Sequence, residues 1–181
     1  MKKSKNWTSE ERYRPYSAYS DDYLSSLTEL VKKSPWRTHY HIEPRTGLLN
    51  DPNAFSYFDG KWQLFYQHFP YGPVHALKSW KHLTSTDLVT FIADDLQLLP
   101  DSDFDNKGAY SGSAKEFDDG NLHIFYTGNH RNSDGTRIPY QLEATLDATG
   151  KLSKSDKAAI LPAFDKVTEH FRDPQIFEFE G

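Results

Sequence analysis

Apolar positions change period once along this chain. Between Ser20 and Lys33 they fall at helical spacing, and Tyr23, Leu24, Leu27, Leu30 and Val31 form one stripe. Ser20 is placed to cap the segment, Asp21 and Asp22 suit its positive end, and Lys32 and Lys33 its negative end. Ser34-Pro35 stops it. The pattern predicts a helix over 20–33 that packs on the outside of a domain.

From Trp36 the period shortens to that of strands broken by turns. Residues 54–58 and 61–67 flank Asp59-Gly60, and both turn residues tolerate the φ > 0 that a tight hairpin demands. The phrase recurs at 112–117, Asp118-Asp119-Gly120 and 121–127, and begins again at Pro174. The copies start about 60 residues apart, which leaves room for a second hairpin in each. Residues 78–93 and 138–153 are the candidates for those outer strands. Repeated hairpins of this kind predict an all-β fold, either propeller blades or a β-sandwich. Gly181 falls at the turn position of the third copy, so the expectation is the N-terminal part of a longer protein. The organisation expected is an extension over 1–35 and a strand domain over 36–181, truncated at 181.

Composition changes this picture little. Aromatic residues make up 15% of the 181, with 11 Tyr, 12 Phe and 4 Trp, which suits either a β core or a sugar platform. A net charge of −5 without a basic run argues against nucleic acid as a partner. With no cysteine there is neither a disulfide framework nor a thiolate metal site. The basic start runs into Thr8-Ser9-Glu10-Glu11 without an apolar stretch, and nothing is long enough to span a membrane, so a cytoplasmic protein is expected. His39 and His41 alternate as on a strand, where packing accounts for them; no metal or cofactor site is expected.

Candidate chemistry lies in two segments. Asn50-Asp51-Pro52-Asn53 and Phe171-Arg172-Asp173-Pro174 each put an aspartate before a proline and just ahead of a strand. Proline fixes its own φ and biases its predecessor to extended geometry, so each carboxylate stands at a defined strand entrance. Either segment alone reads equally as a turn or a structural ion pair. Both, however, occupy the same place in the repeat, and Tyr110-Ser111-Gly112-Ser113 fills that place in the middle copy. In a propeller the innermost strand starts converge on one pocket. Paired carboxylates there would suit glycoside cleavage, which proceeds through an oxocarbenium-like state.

The run from Trp36 through Pro44 and Gly47-Leu48-Leu49-Asn50-Asp51-Pro52-Asn53 resembles the signature of glycoside hydrolase family 32. Phe65-Tyr66-Gln67, Tyr71-Gly72-Pro73-Val74-His75, Ser85-Thr86-Asp87-Leu88-Val89, Tyr110-Ser111-Gly112-Ser113-Ala114 and Phe171-Arg172-Asp173-Pro174 follow in the family's order. Its members include invertases, fructanases and sucrose-6-phosphate hydrolases, and residues 7–35 look most like the last group. The resemblance implies the first two blades and the start of the third of a five-bladed β-propeller, preceded by a short helix. It implies retaining hydrolysis of a β-fructofuranosyl bond in sucrose 6-phosphate or sucrose, with Asp51 as nucleophile and Asp173 as transition-state stabiliser. Leu48, Leu49 and Asn50 would line the approach, Gln67, Tyr110 and Ser111 would contact the fructosyl ring, Arg172 would hold the carboxylates, and Trp80 would form a wall. Gln67 and Ser111 could instead bond neighbouring backbone, and Trp80 could be core.

Departures from the family pattern are also present. The family's acid/base is a glutamate beside a cysteine, and no glutamate here has that neighbour; Glu178 and Glu180 read as structural. Ala54 and Ala76 stand where glycine is usual, and His68-Phe69-Pro70 replaces an aromatic-Asn-Pro. If Ala54 needs φ > 0, it strains the backbone beside Asp51 by about 1–2 kcal/mol. A non-catalytic fructoside-binding module and a fructosyltransferase therefore stand as alternatives.

Overall fold

The computed structural model describes residues 6–162 and 165–180. Two helices come first, α1 (Ser9–Arg12) and α2 (Asp21–Lys32), and eight strands follow. β1 (Leu48–Phe58), β2 (Lys61–Phe69), β3 (Ser79–Ser85) and β4 (Ile92–Leu98) form one antiparallel sheet in sequential order. β5 (Ala109–Glu116), β6 (Leu122–Arg131), β7 (Arg137–Leu146) and β8 (Leu152–Lys154) form a second in the same order. Each repeat is thus two hairpins; β3, β7 and β8 fall at the candidate outer segments, whereas β4 lies mostly beyond residue 93.

The predicted helix forms at its predicted place. The Ser20 hydroxyl accepts a hydrogen bond from the Tyr23 amide at 3.2 Å, which satisfies one of the free N–H groups of the first turn. Its inner face is Tyr23, Leu24, Leu27, Thr28 and Val31; Leu30, expected on that stripe, points outward. The extension docks on the first sheet through aromatic rings. Tyr19 stacks on Tyr71 with centroids 3.8 Å apart, and Trp7, Tyr16 and Tyr19 surround Phe69. Gly72 makes room for this, because a Cβ there would lie 2.2 Å from the Trp7 ring. The Tyr16 hydroxyl donates to the Leu77 carbonyl at 2.6 Å, and burial raises its pKa.

The first hairpin turns on Asp59 and Gly60, with φ of 48° and 72°, as the Asp-Gly pair predicts. The second is looser. Residues 117–121 close it, with Gly120 at φ 74° and its amide donating to the Phe117 carbonyl at 2.9 Å. Three expectations fail. Residues 36–47 form no strand: Trp36, His39, Tyr40 and His41 are exposed, and Glu43 holds the loop by accepting from the Thr38 amide and hydroxyl at 2.9 Å each. The 174–180 segment forms no strand either; its Ile176 amide donates to the Ser113 hydroxyl at 2.9 Å rather than to a ladder. Trp80 is core.

One cluster joins the two sheets. Phe65, Trp80 and Leu98 of the first meet Leu122, Ile124 and Tyr126 of the second, all fully buried. Each such side chain contributes about 1.5–3 kcal/mol through removal from water. A buried carboxylate pins the connection between the sheets. Asp105 accepts from the Ser102 amide and hydroxyl, from the Tyr126 hydroxyl at 3.0 Å, and from Lys154 at 2.6 Å, so its charge is paired and its lone pairs are used. No described helix is long and apolar enough to cross a membrane.

Candidate active site

Both innermost strands carry a β-bulge at the same place. Leu49 pairs with His68 and Pro52 with Tyr66, so Asn50 and Asp51 together oppose Gln67. Ala109 pairs with Gly128 and Gly112 with Tyr126, so Tyr110 and Ser111 together oppose Thr127. An extra residue bends the strand and re-aims its side chain. Pro52 fits directly after the first bulge, since it has no N–H to give to a ladder. After the second only glycine fits: a Cβ on Gly112 would lie 2.0 Å from the Phe125 carbonyl oxygen.

The bulge residues of the two sheets meet. The Asp51 carboxylate accepts from the Asn50 amide group at 2.7 Å and from the Ser111 hydroxyl at 3.0 Å. Ser111 in turn accepts from Gln67 Nε2 at 2.9 Å. Gln67 and Ser111 therefore bond each other across the sheets rather than neighbouring backbone. Asn53 fastens the same junction: its Nδ2 donates to the Asp51 carbonyl at 2.8 Å, and its Oδ1 accepts from the Gly112 amide at 3.0 Å. Leu48 and Leu49, at the start of β1, are half-buried beside this group.

Asp173 is held by the second sheet. Its amide donates to the Thr127 hydroxyl at 2.8 Å, Thr127 donates to Gln141 at 2.9 Å, and Gln141 donates to the Phe171 carbonyl at 2.9 Å. Asp173 adopts φ 63°, a strained value for a residue with a Cβ. Arg172 Nε lies 3.6 Å from the Asp173 carboxylate, and both side chains are exposed. Ala54 likewise adopts φ 50°, at a second bulge where Ala54 and Phe55 oppose Leu64, so the expected strain is present.

Trp80 does not line the site. It is 0% exposed, packs edge-on to Tyr126 at 5.8 Å, and donates from Nε1 to the Tyr110 carbonyl at 3.2 Å. It supports the bulge from behind.

Lys78 escaped the sequence reading. It is buried, donates to Gln67 Oε1, and places its ammonium 4.7 Å from the centre of the Tyr110 ring. Burial lowers its pKa; the Asp51 and Asp173 carboxylates oppose that shift and Arg172 adds to it. One ammonium thus lies in the field of both aspartates and of Arg172, although those residues are far apart in sequence. The available signal was alternation, since Lys78 shares a period of two with Trp80 and His82. A cation on a buried face is uncommon enough to flag.

The arrangement gathers two exposed carboxylates, a guanidinium, a buried ammonium and amide and hydroxyl donors around Lys78, which suits a polyhydroxylated ligand. Comparison with known proteins gives the family. The glycosyl hydrolases family 32 N-terminal domain matches residues 41–181, and the chain belongs to that family. Its two sheets are two blades of the five-bladed β-propeller that this family's N-terminal domain forms. Over 175 residues the chain is 57% identical to the sucrose-6-phosphate hydrolase of Lactococcus lactis subsp. lactis, covering 97% of this chain and 37% of that protein. It superposes on the sucrose-6-phosphate hydrolase from Lactobacillus gasseri with a TM-score of 0.92 at 51% identity, covering 97% of this chain and 36% of that one. A mutant of the Bombyx mori GH32 β-fructofuranosidase in complex with sucrose superposes with a TM-score of 0.73 at 31% identity, covering 88% and 33%. The chain therefore spans little more than a third of the length of these relatives.

Proposed function

We propose that the chain carries the fructosyl-binding half of a retaining β-fructofuranosidase acting on sucrose 6-phosphate in the cytoplasm. The observation that carries this reading is the hydrogen-bonded junction Asn50–Asp51–Ser111–Gln67–Lys78, with Asp173 anchored beside it on Thr127. Asp51 attacks the anomeric carbon of the fructosyl unit and forms an ester as the glycosidic oxygen leaves. The Asn50 and Ser111 donors hold that carboxylate aimed. Asp173 bonds fructosyl hydroxyls and stabilises the cationic transition state, and Arg172 orients its carboxylate. Lys78 positions Gln67 and balances the charge of the two aspartates. Protonation of the leaving oxygen falls to a glutamate that the 181 residues do not contain. A positioned acid contributes about 10²–10⁴-fold to rate, so these residues alone should turn over very little.

At the full length of its relatives, the protein should release glucose 6-phosphate from sucrose 6-phosphate. Asp51→Asn should cut that release by more than about 10³-fold. Retained turnover in the variant would remove Asp51 from the mechanism. The strained Ala54 beside Asp51 favours a second reading, a fructoside-binding module without catalysis. Binding without release by the full-length protein would select it.

A further inference from the structure

A cavity of about 810 Å³ opens between the N-terminal segment and the second blade. Its wall presents Arg14, Lys107 and Arg131 with Tyr13 and Ser133, and Glu10 is the one carboxylate among its lining residues. Three features show an excess of positive charge at this wall and next to it, where Arg137 neighbours the lining residue Arg131 without itself lining the cavity. Arg131 and Arg137 are direct cross-strand partners at the ends of β6 and β7, where like charges repel. Among the described residues, no carboxylate pairs with Arg14, Lys107, Arg131 or Arg137. Arg137 Nε is buried without a hydrogen-bond partner. Lys107 lies 5.3 Å from the Tyr13 ring, and Arg131 Nη1 donates to the Gly135 carbonyl at 2.8 Å, so both cations are held in place by neutral groups.

The cavity lies at the bulge end of the blade. Lys107 lies two residues before the start of β5, and its amide donates to the Asn129 carbonyl at 2.9 Å, beside the Tyr110–Ser111 bulge. Tyr110 is the link: its carbonyl is held by Trp80, its ring covers Lys78, and its partly exposed side chain lies between the two regions. Burial raises the pKa of its phenol, which sits in the field of Arg131 from the cavity, of Arg137 beside it, and of Arg172 from the aspartate site.

We propose that this cavity is an anion subsite that takes the phosphomonoester of a phosphorylated sugar whose fructosyl end lies at Asp51 and Asp173. The inference rests on the fructoside reading above. A phosphomonoester carries roughly 1.5–2 negative charges and three acceptor oxygens near neutral pH, which suits a guanidinium and an ammonium on one wall. The N-terminal segment then has a direct role, since it supplies Tyr13 and Arg14 and docks that wall against the first blade.

Titration calorimetry with sucrose, sucrose 6-phosphate and inorganic phosphate tests this on the chain and on its Arg131→Gln and Lys107→Gln variants. Sucrose 6-phosphate should bind about ten-fold or more tightly than sucrose, and the ratio should collapse towards one in both variants. An unchanged ratio in both variants, or equal binding of the two sugars to the parent chain, overturns the phosphate subsite and leaves the fructoside reading standing. Inorganic phosphate binding as tightly as sucrose 6-phosphate overturns the substrate subsite in favour of a free-anion site. Failure of both sugars to bind overturns the fructoside reading and this inference with it.

Discussion

The two blades share a backbone device and differ in what they hang on it. In each, two residues of the innermost strand oppose one residue of the next, and that lone residue reaches into the following repeat: Gln67 to Ser111, Thr127 to Asp173. The first blade places a carboxylate, Asp51, on its bulge; the second places the hydroxyl of Ser111, which serves that carboxylate. The bulge thus sets position and the side chain sets chemistry. The linking residues also differ in kind. Gln67 carries a buried ammonium with it, whereas Thr127 belongs to a neutral chain of hydrogen bonds.

The largest effect should come from forcing the second bulge to accept a side chain. Gly112→Ala puts a Cβ against the Phe125 carbonyl, a backbone atom that cannot swing away, and should cost about 4 kcal/mol or more. Pro52→Ala at the matching place in the first blade should stay within about 1 kcal/mol. Urea melts of the two variants compare them directly, and equal losses would contradict the special steric demand placed on Gly112.

Next come the linking residues. Gln67→Leu leaves the Lys78 ammonium buried without its acceptor and should cost about 3 kcal/mol. Thr127→Val removes one neutral acceptor and should cost about 1 kcal/mol. A larger loss for Thr127 than for Gln67 would reverse the contrast drawn between them.

The smallest effect is in pH, where the blades should respond with opposite sign. Burial lowers the pKa of His82 in the first blade, against the pull of Asp94. It binds fewer protons folded than unfolded, so its contribution is full above about pH 6.5 and falls as pH drops through its folded value. For His123 in the second blade, burial also pulls downward, but hydrogen bonds to Glu143 at 2.7 Å and Asp119 at 3.0 Å outweigh it and raise the pKa. Its stabilisation is full below about pH 6.5 and is lost as pH rises through its folded value. Melting midpoints against pH should therefore lose the acid-side slope in His82→Gln and the alkaline-side slope in His123→Gln. Slopes of the same sign would contradict the assigned shifts.

Helix, hairpins and outer strands were legible in the chain because their signals are local. Ser20 caps its own first turn, Asp59-Gly60 sets its own φ values, and short runs rich in apolar residues between turn residues mark the strands. The bulges were not, because two residues facing one is a property of register, which no single strand reveals. The segment around His39 and His41 alternates like a strand yet pairs with no strand among the described residues; Glu43 fixes it as a loop. Asp51, Asn50 and Ser111 stand together as their common place in the repeat suggested. Lys78 was passed over because a lone lysine reads as solvated, and Trp80 was misplaced because only the packing between blades shows which face its ring takes.

The central claim, that Asp51 is an aimed nucleophile, is tested most directly with β-fructofuranosyl fluoride. Fluoride leaves with its bonding electrons and needs no acid, so a carboxylate oxygen of Asp51 can displace it and form the fructosyl ester without the glutamate that the proposal makes the acid. That glutamate would also activate the hydrolytic water, so the ester should accumulate. Mass spectrometry of the digested chain should find one fructosyl unit on the peptide containing Asp51 and none in Asp51→Asn. A fructosyl unit on another residue, or no adduct with the fluoride in excess, would contradict the account.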